Sequence, residues 1–188
     1  MSPYPSQITR ESIVAQARAM IEAEGADSLS LHKLAAALGV KTPSLYNHVR
    51  SKAEVLQAVN AITAADLTAA LEASARSTAG SPRDQLLALM RAYRAFVREN
   101  PAMYLLAFAT SDPDLMPDEA TAQALALPLQ ALMAELVGGE RSLEALRGGW
   151  ALMHGFALLE ISGQFRRGGD LDLAFERACA AYLDGWAR

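Results

Sequence analysis

The chain has 188 residues, 52% of them hydrophobic and 20% charged, with a net charge of −4. That balance is too apolar for a disordered chain, and its acidity argues against a protein that coats nucleic acid without selectivity. One cysteine, Cys179, excludes an internal disulfide and a cysteine-rich metal site, and points to a reducing cytoplasmic setting.

The opening segment, Met1 to Gln7, lacks the basic start and apolar core of a signal peptide, and none is expected. No uncharged apolar run reaches the ~18 residues of a membrane span, so no membrane partner is expected. The spacing predicts a first helix from Thr9 to Ala23. Thr9 is its cap, Ile13, Ala17, Met20 and Ile21 recur along it, and Gly25 stops it. Ser30 caps a short second helix, Leu31 to Leu38, and Gly39 takes the left-handed position after it. Thr42-Pro43 opens a third helix, with Thr42 as cap and Pro43 at the first helical position. Leu45 and Val49 lie four apart and face inward. Ser51-Lys52-Ala53-Glu54 reads as a capping box that opens a longer fourth helix through Val55, Val59, Ile62 and Leu67.

Ser77 to Gly80 breaks the pattern, Ser81-Pro82 restarts it to Glu99, and Asn100-Pro101 restarts it through Tyr104 and Phe108. Ser111 to Pro117 is a loop. Residues 118–137 are helical with a bend expected at Pro128, and Gly138-Gly139 ends them. Helices over Ser142–Arg166 and Leu171–Trp186 follow. The expected fold is all-α, with about nine helices and no sheet. A three-helix, helix-turn-helix DNA-binding domain spans 1–52, and a helical ligand-binding and dimerisation bundle spans 53–188.

Charge is unevenly placed. No Asp or Glu occurs from Ser28 to Ala53, a window that holds Lys33, Lys41, Arg50, Lys52, His32 and His48. After Val59 there are eleven arginines against sixteen acids. A local basic patch on an acidic body fits a DNA-contacting module. Within it, Ala35 is small enough for two short helices to cross closely, Gly39 accepts positive φ at the turn, and Leu45 drops into the gap. The other face of Thr42–His48 is then free to enter a major groove. Thr42, Ser44 and Asn47 suit base edges or phosphates, and Lys41 and Lys52 suit phosphates. The free amides that open the fourth helix can also face a phosphate.

The stretch LAAALGVKTPSLYNHVRSKAEVLQAV resembles the signature of the TetR family of bacterial regulators. The resemblance rests on the Leu-Gly-Val turn, the Leu-Tyr-x-His core and the Ser-Lys start of the fourth helix. It implies phosphate contacts from Tyr46, His48 and Lys52, base approach by Thr42, Pro43, Ser44 and Asn47, and a further DNA contact from His32, with Lys33 beside it.

The rest of the chain is similar to that family's variable ligand-binding and dimerising domain. Trp150, His154 and Gly155 resemble the Trp-His-Gly signature of one C-terminal subclass. Two readings of His154 stay open: a core histidine bonded to a neighbouring helix, or a ligand contact. Tyr93, Phe96, Met103, Tyr104 and Phe108, with Met90, are core residues from which a pocket would also draw. Together with Trp150, His154 and Phe156 they are the candidate ligand-binding set, for a small and mostly hydrophobic molecule of unknown identity. Phe175, Cys179, Tyr182 and Trp186 recur on the final helix. The resemblance implies a homodimer through the last two helices, and a two-fold pair suits a palindromic double-stranded operator. No metal or cofactor is expected, because His32, His48 and His154 are scattered. No nucleophile–base pair is spaced for an enzyme. The expected function is a ligand-responsive repressor. The alternatives are a DNA-binding regulator without a ligand and, less favoured, a helical-bundle enzyme.

Overall fold

The computed structural model describes residues 8–187; the opening Met1 to Gln7 lies outside the described residues. Among those residues there are nine α-helices and no strand: α1 (Arg10–Glu24), α2 (Leu31–Ala37), α3 (Thr42–Leu45), α4 (Lys52–Ser77), α5 (Pro82–Glu99), α6 (Pro101–Phe108), α7 (Glu119–Val137), α8 (Gly139–Ile161) and α9 (Leu171–Trp186). Short 3-10 turns cover Ala26–Ser28 and Pro113–Leu115. Two compact units emerge. The first takes the chain up to Ala64 together with Asn100–Asp118; the second takes Ala65–Glu99 and everything from Glu119 onward. Helix α4 therefore passes from one unit into the other.

Local chemistry sets most helix ends in the first unit. The Ser12 amide donates to Thr9 Oγ1 at 3.2 Å and the Thr9 amide donates back to Ser12 Oγ at 3.0 Å, a closed capping box. The apolar side of α1 (Ile13, Val14, Ala17, Ile21) packs with Leu34 and Ala35 of α2, Leu45, Val49, and Val55, Leu56 and Val59 of α4. Met103 and Leu106 of α6 complete this core. Side-chain amides supply long-range ties to the loop after α6. Asn60 Nδ2 donates to the carbonyls of Leu115 at 2.6 Å and Leu106 at 3.3 Å, and Gln57 Nε2 donates to that of Asp114 at 2.8 Å. Asn60 is buried, and its Oδ1 has no hydrogen-bond partner.

In the second unit α7 and α8 are joined through Gly138, whose φ of +84° ends one helix so that the next can start at once. Helix α7 is long and apolar enough to cross a bilayer by length and composition, with a mean hydropathy of 1.3 over its best 18-residue window. Its stripe of Leu125, Leu129, Met133 and Val137 is nevertheless buried in protein, where α7 packs on α5 and α8. Helix α9 lays Phe175, Cys179 and Leu183 into the core. Two glycines of α8 let it come close: a Cβ at Gly148 would overlap the hydroxyl of Tyr182, and one at Gly149 would touch its ring. That hydroxyl donates to the Ala145 carbonyl at 2.5 Å.

Several expectations are corrected here. Lys41, not Thr42, is the cap of α3, and no side chain caps it; Thr42 is already helical and Pro43 follows. Helix α8 ends at Ile161 rather than Arg166. Gly163, at φ +64°, closes it with Gly163 N–Glu160 O and Gln164 N–Leu159 O bonds of 3.0 and 2.9 Å. Phe175 and Cys179 face the chain's own core, so they are unavailable to a second subunit.

Candidate nucleic-acid interface

The turn between α2 and α3 is built by backbone bonds around one glycine. The Val40 amide donates to the Ala35 carbonyl at 3.0 Å and the Gly39 amide to that of Ala36 at 3.1 Å, the paired bonds of a Schellman closure. Gly39 has φ +69°, as its position in the sequence requires. Ala35 is buried at the crossing and Leu45 is fully buried opposite it. Regular α-helix stops at Leu45, but the amides of His48 and Val49 still donate to the Leu45 carbonyl at 2.9 and 3.0 Å. The turn therefore continues to Val49, which is buried and fixes the far end.

With Leu45 and Val49 held inside, the side chains between them face out. Lys41, Pro43, Tyr46 and Asn47 are exposed, and Tyr46 keeps 56% of its surface accessible. Thr42, Ser44, His48 and Lys52 are half-buried, and His32 and Lys33 are exposed on α2. Leaving a tyrosine in water contributes nothing to folding, so this face is not spent on the core. Lys33 lies 3.6 Å from Glu24, an exposed pair that is weak in solution.

Glu54, the acid at the start of α4, is occupied. Its amide donates to Ser51 Oγ at 3.1 Å, and its Oε2 accepts from the Arg50 amide at 2.7 Å, one residue before the expected partner. Its Oε1 accepts from Arg10 at 3.1 Å. Arg10 thus ties the start of α1 to the start of α4. Sequence reasoning missed it, because the two residues are 44 positions apart.

The candidate ligand residues divide between the units. Met103, Tyr104 and Phe108 sit on α6 in the first; Tyr104 is fully buried and its ring lies 5.3 Å from that of Phe108. Tyr93, Phe96, Trp150, His154 and Phe156 belong to the second. There Tyr93 meets Trp150 edge-on at 5.3 Å. His154 is half-buried, and burial holds its imidazole below the ordinary pKa, so it is mostly neutral near pH 7. Phe156 contacts Phe165 and Phe175 at 4.9 and 5.0 Å. The Arg94 guanidinium stands 5.4 Å from the Phe156 ring and 5.0 Å from that of Phe175.

An unexpected feature is a ladder of ion pairs. Arg83, Arg91 and Arg94 of α5 meet Asp184, Glu176 and Asp172 of α9, and Arg94 also binds Glu160 of α8. The two helices read in opposite directions, so descending acids on α9 match ascending arginines on α5. That reversed spacing was the available signal.

Comparison with known proteins agrees with this geometry. Residues 13–59 match the family described as bacterial regulatory proteins, tetR family, and residues 86–182 match the tetracyclin repressor-like C-terminal domain. An uncharacterized HTH-type transcriptional regulator of Mycobacterium tuberculosis is 34% identical over 165 residues, 85% of this chain and 73% of that protein. A second, from Bacillus subtilis, is 29% identical over 184 residues, 95% of this chain and 92% of that one. The solved structure of a protein of unknown function from Rhodococcus sp. RHA1 shares the fold, with a TM-score of 0.83, 24% identity and full coverage of both chains.

Proposed function

The chain belongs to the TetR family of helix-turn-helix transcriptional regulators, and from that premise we propose that it is a ligand-responsive repressor acting as a homodimer on a palindromic operator. The observation that carries the reading is the outward face of residues 41–48, polar and basic, set on two buried anchors, Leu45 and Val49. Thr42, Pro43, Ser44 and Asn47 approach bases; Lys41, Tyr46, His48 and Lys52 take phosphates, helped by the amides that open α4; His32 and Lys33 contact the flanking backbone.

Two-fold pairing runs through α8 and α9. Their outer faces carry exposed Leu143 and Leu159 on one helix and exposed Leu173 and Ala181 on the other, which supports the reading. A small, mostly hydrophobic effector occupies the second unit, whose Trp150, His154 and Gly155 fit the Trp-His-Gly subclass. Tyr93, Phe96, Trp150, His154 and Phe156 contribute there. Helix α4, which belongs to both units, passes the change to the recognition helix, and coupling of this kind is worth ~1–3 kcal/mol.

Fluorescence anisotropy with DNA flanking the protein's own gene tests the core of this reading. A sequence-selective complex that weakens steeply with salt is expected. A salt-insensitive or unselective complex overturns it.

A further inference from the structure

We propose that Arg10 is a positioning residue for DNA binding: through Glu54 it holds the opening of α4 in place beside the recognition turn, residues 41–49, so that both meet one duplex together. The inference rests on the DNA-binding reading above and adds to it a residue of α1 that acts through protein rather than on the duplex.

One carboxylate joins α1, the recognition turn and α4. Glu54 Oε1 accepts from Arg10 Nη2 at 3.1 Å, and Oε2 accepts from the Arg50 amide at 2.7 Å. Arg10 is the first residue of α1, fixed there by the Thr9–Ser12 capping box. Arg50 follows Val49, the buried anchor that ends the recognition turn. Glu54 stands in the first turn of α4, with its own amide held by Ser51 Oγ at 3.1 Å. The buried apolar residues of these helices begin with Ile13 on α1 and Val55 on α4. The charged tie lies outside that core, at the end where α4 opens.

The tie also resolves a conflict of charge. A carboxylate in the first turn suits the helix dipole, but it repels a phosphate brought to the same amides. Arg10 neutralises it from the α1 side, and the Glu54 side chain is only 26% exposed. Without Arg10, Glu54 still grips the Arg50 amide but meets an incoming phosphate uncompensated. The start of α1 and the recognition turn are neighbours by charge as well. Backbone and Thr9 hydrogen bonds, and then the charges of Arg10 and His48, hold the Glu11 carboxyl below its ordinary range. A partly exposed pair adds little to folding stability, so its loss is read in DNA binding rather than in melting.

A double-mutant cycle read by fluorescence anisotropy tests the assignment, with the full-length protein and a duplex that it has enriched from a random-sequence pool. Arg10→Ala is expected to weaken binding about fivefold in the parent and less than about twofold in the Glu54→Gln background, which keeps the capping box. Arg10→Lys, which keeps the charge, should retain most of the affinity, and all variants should melt with the parent. Equal losses in both backgrounds mean that Arg10 meets a phosphate directly, which a salt slope lower by about one would mark, and overturn the proposal. No loss in either background overturns it too. Hydrogen exchange at the Arg50 amide, followed by NMR without DNA, is an independent readout. Protection should drop in Arg10→Ala; unchanged protection overturns the proposal even where DNA binding weakens. A pool that yields no enriched sequence removes the DNA-binding reading and this role with it, while the exchange measurement still reports whether the tie holds.

Discussion

Arg94 and Glu160 form a two-pronged ion pair inside the second unit: Nε–Oε2 and Nη2–Oε1 are both 2.7 Å, and the side chains are 8% and 13% exposed. Asp172, itself 75% exposed, adds a contact at 2.8 Å from the solvent side. Burying two charges is unfavourable unless each answers the other, so the loss of one partner is worse than the loss of both. Replacing Arg94 with Met should cost about 3–5 kcal/mol, because Glu160 is left with only Arg98 at 3.8 Å. The double replacement Arg94→Met/Glu160→Leu should recover most of that. Urea denaturation at fixed protein concentration compares the two; equal losses would mean the pair is not electrostatically coupled.

The contact between Gly148 and Tyr182 yields a second expectation. A methyl group at 148 collides with a hydroxyl that is committed to the Ala145 carbonyl. Gly148→Ala should destabilise the fold by about 1–3 kcal/mol, as overpacking does. Adding Tyr182→Phe removes the colliding oxygen and should return part of the loss. Thermal unfolding of the single and double variants decides it, since independent sites would simply add.

On the DNA face, two substitutions should act differently. Lys52→Ala should weaken binding to every sequence alike and reduce the salt slope by about one. Asn47→Ala should cost about 1–3 kcal/mol against the preferred base pair and little on other sequences. Neither side chain belongs to the core, so melting curves should stay within about 0.5 kcal/mol of the parent. If Asn47→Ala left the preference untouched, that residue would not read a base.

Cys179 gives a pH expectation. It is fully buried, and burial pushes its thiol up to about 12, against an unfolded value near 8.5. The folded state therefore holds its proton while the unfolded chain releases it. Stability is unaffected below about pH 8.5 and falls as pH rises from there toward 12. Cys179→Ala should flatten that alkaline limb at the expense of a small cavity. Native protein at pH 8 should also react with iodoacetamide far more slowly than protein in urea; equal rates would contradict the burial.

Legibility in the sequence followed distance along the chain. Gly39, Leu45, Ser51 and Glu54 declare their roles within a few residues of their partners, so the turn and the helix ends around it were readable. The cap of α3 was misread by one position, because backbone geometry at Lys41 does what a threonine side chain was expected to do. Periodicity located the stripe of Phe175 and Cys179 but carried no sign of which side of α9 was solvent. The placement of Met103 with Ile13 and Leu34, and the pairing of Arg94 with Glu160, depend on contacts 66 or more residues apart that no local pattern encodes.

The amide ties from Gln57 and Asn60 all end on main-chain carbonyls, at 106, 114 and 115. Every amino acid supplies the same carbonyl. The loop from 109 to 115 can thus drift in side-chain identity and keep its mooring, so long as its backbone path is kept. Positions 57 and 60 have no such latitude, since only an amide of the right reach makes the knot. Across descendants of this gene, substitution should be lopsided: permissive on the loop, strict on the helix that grips it.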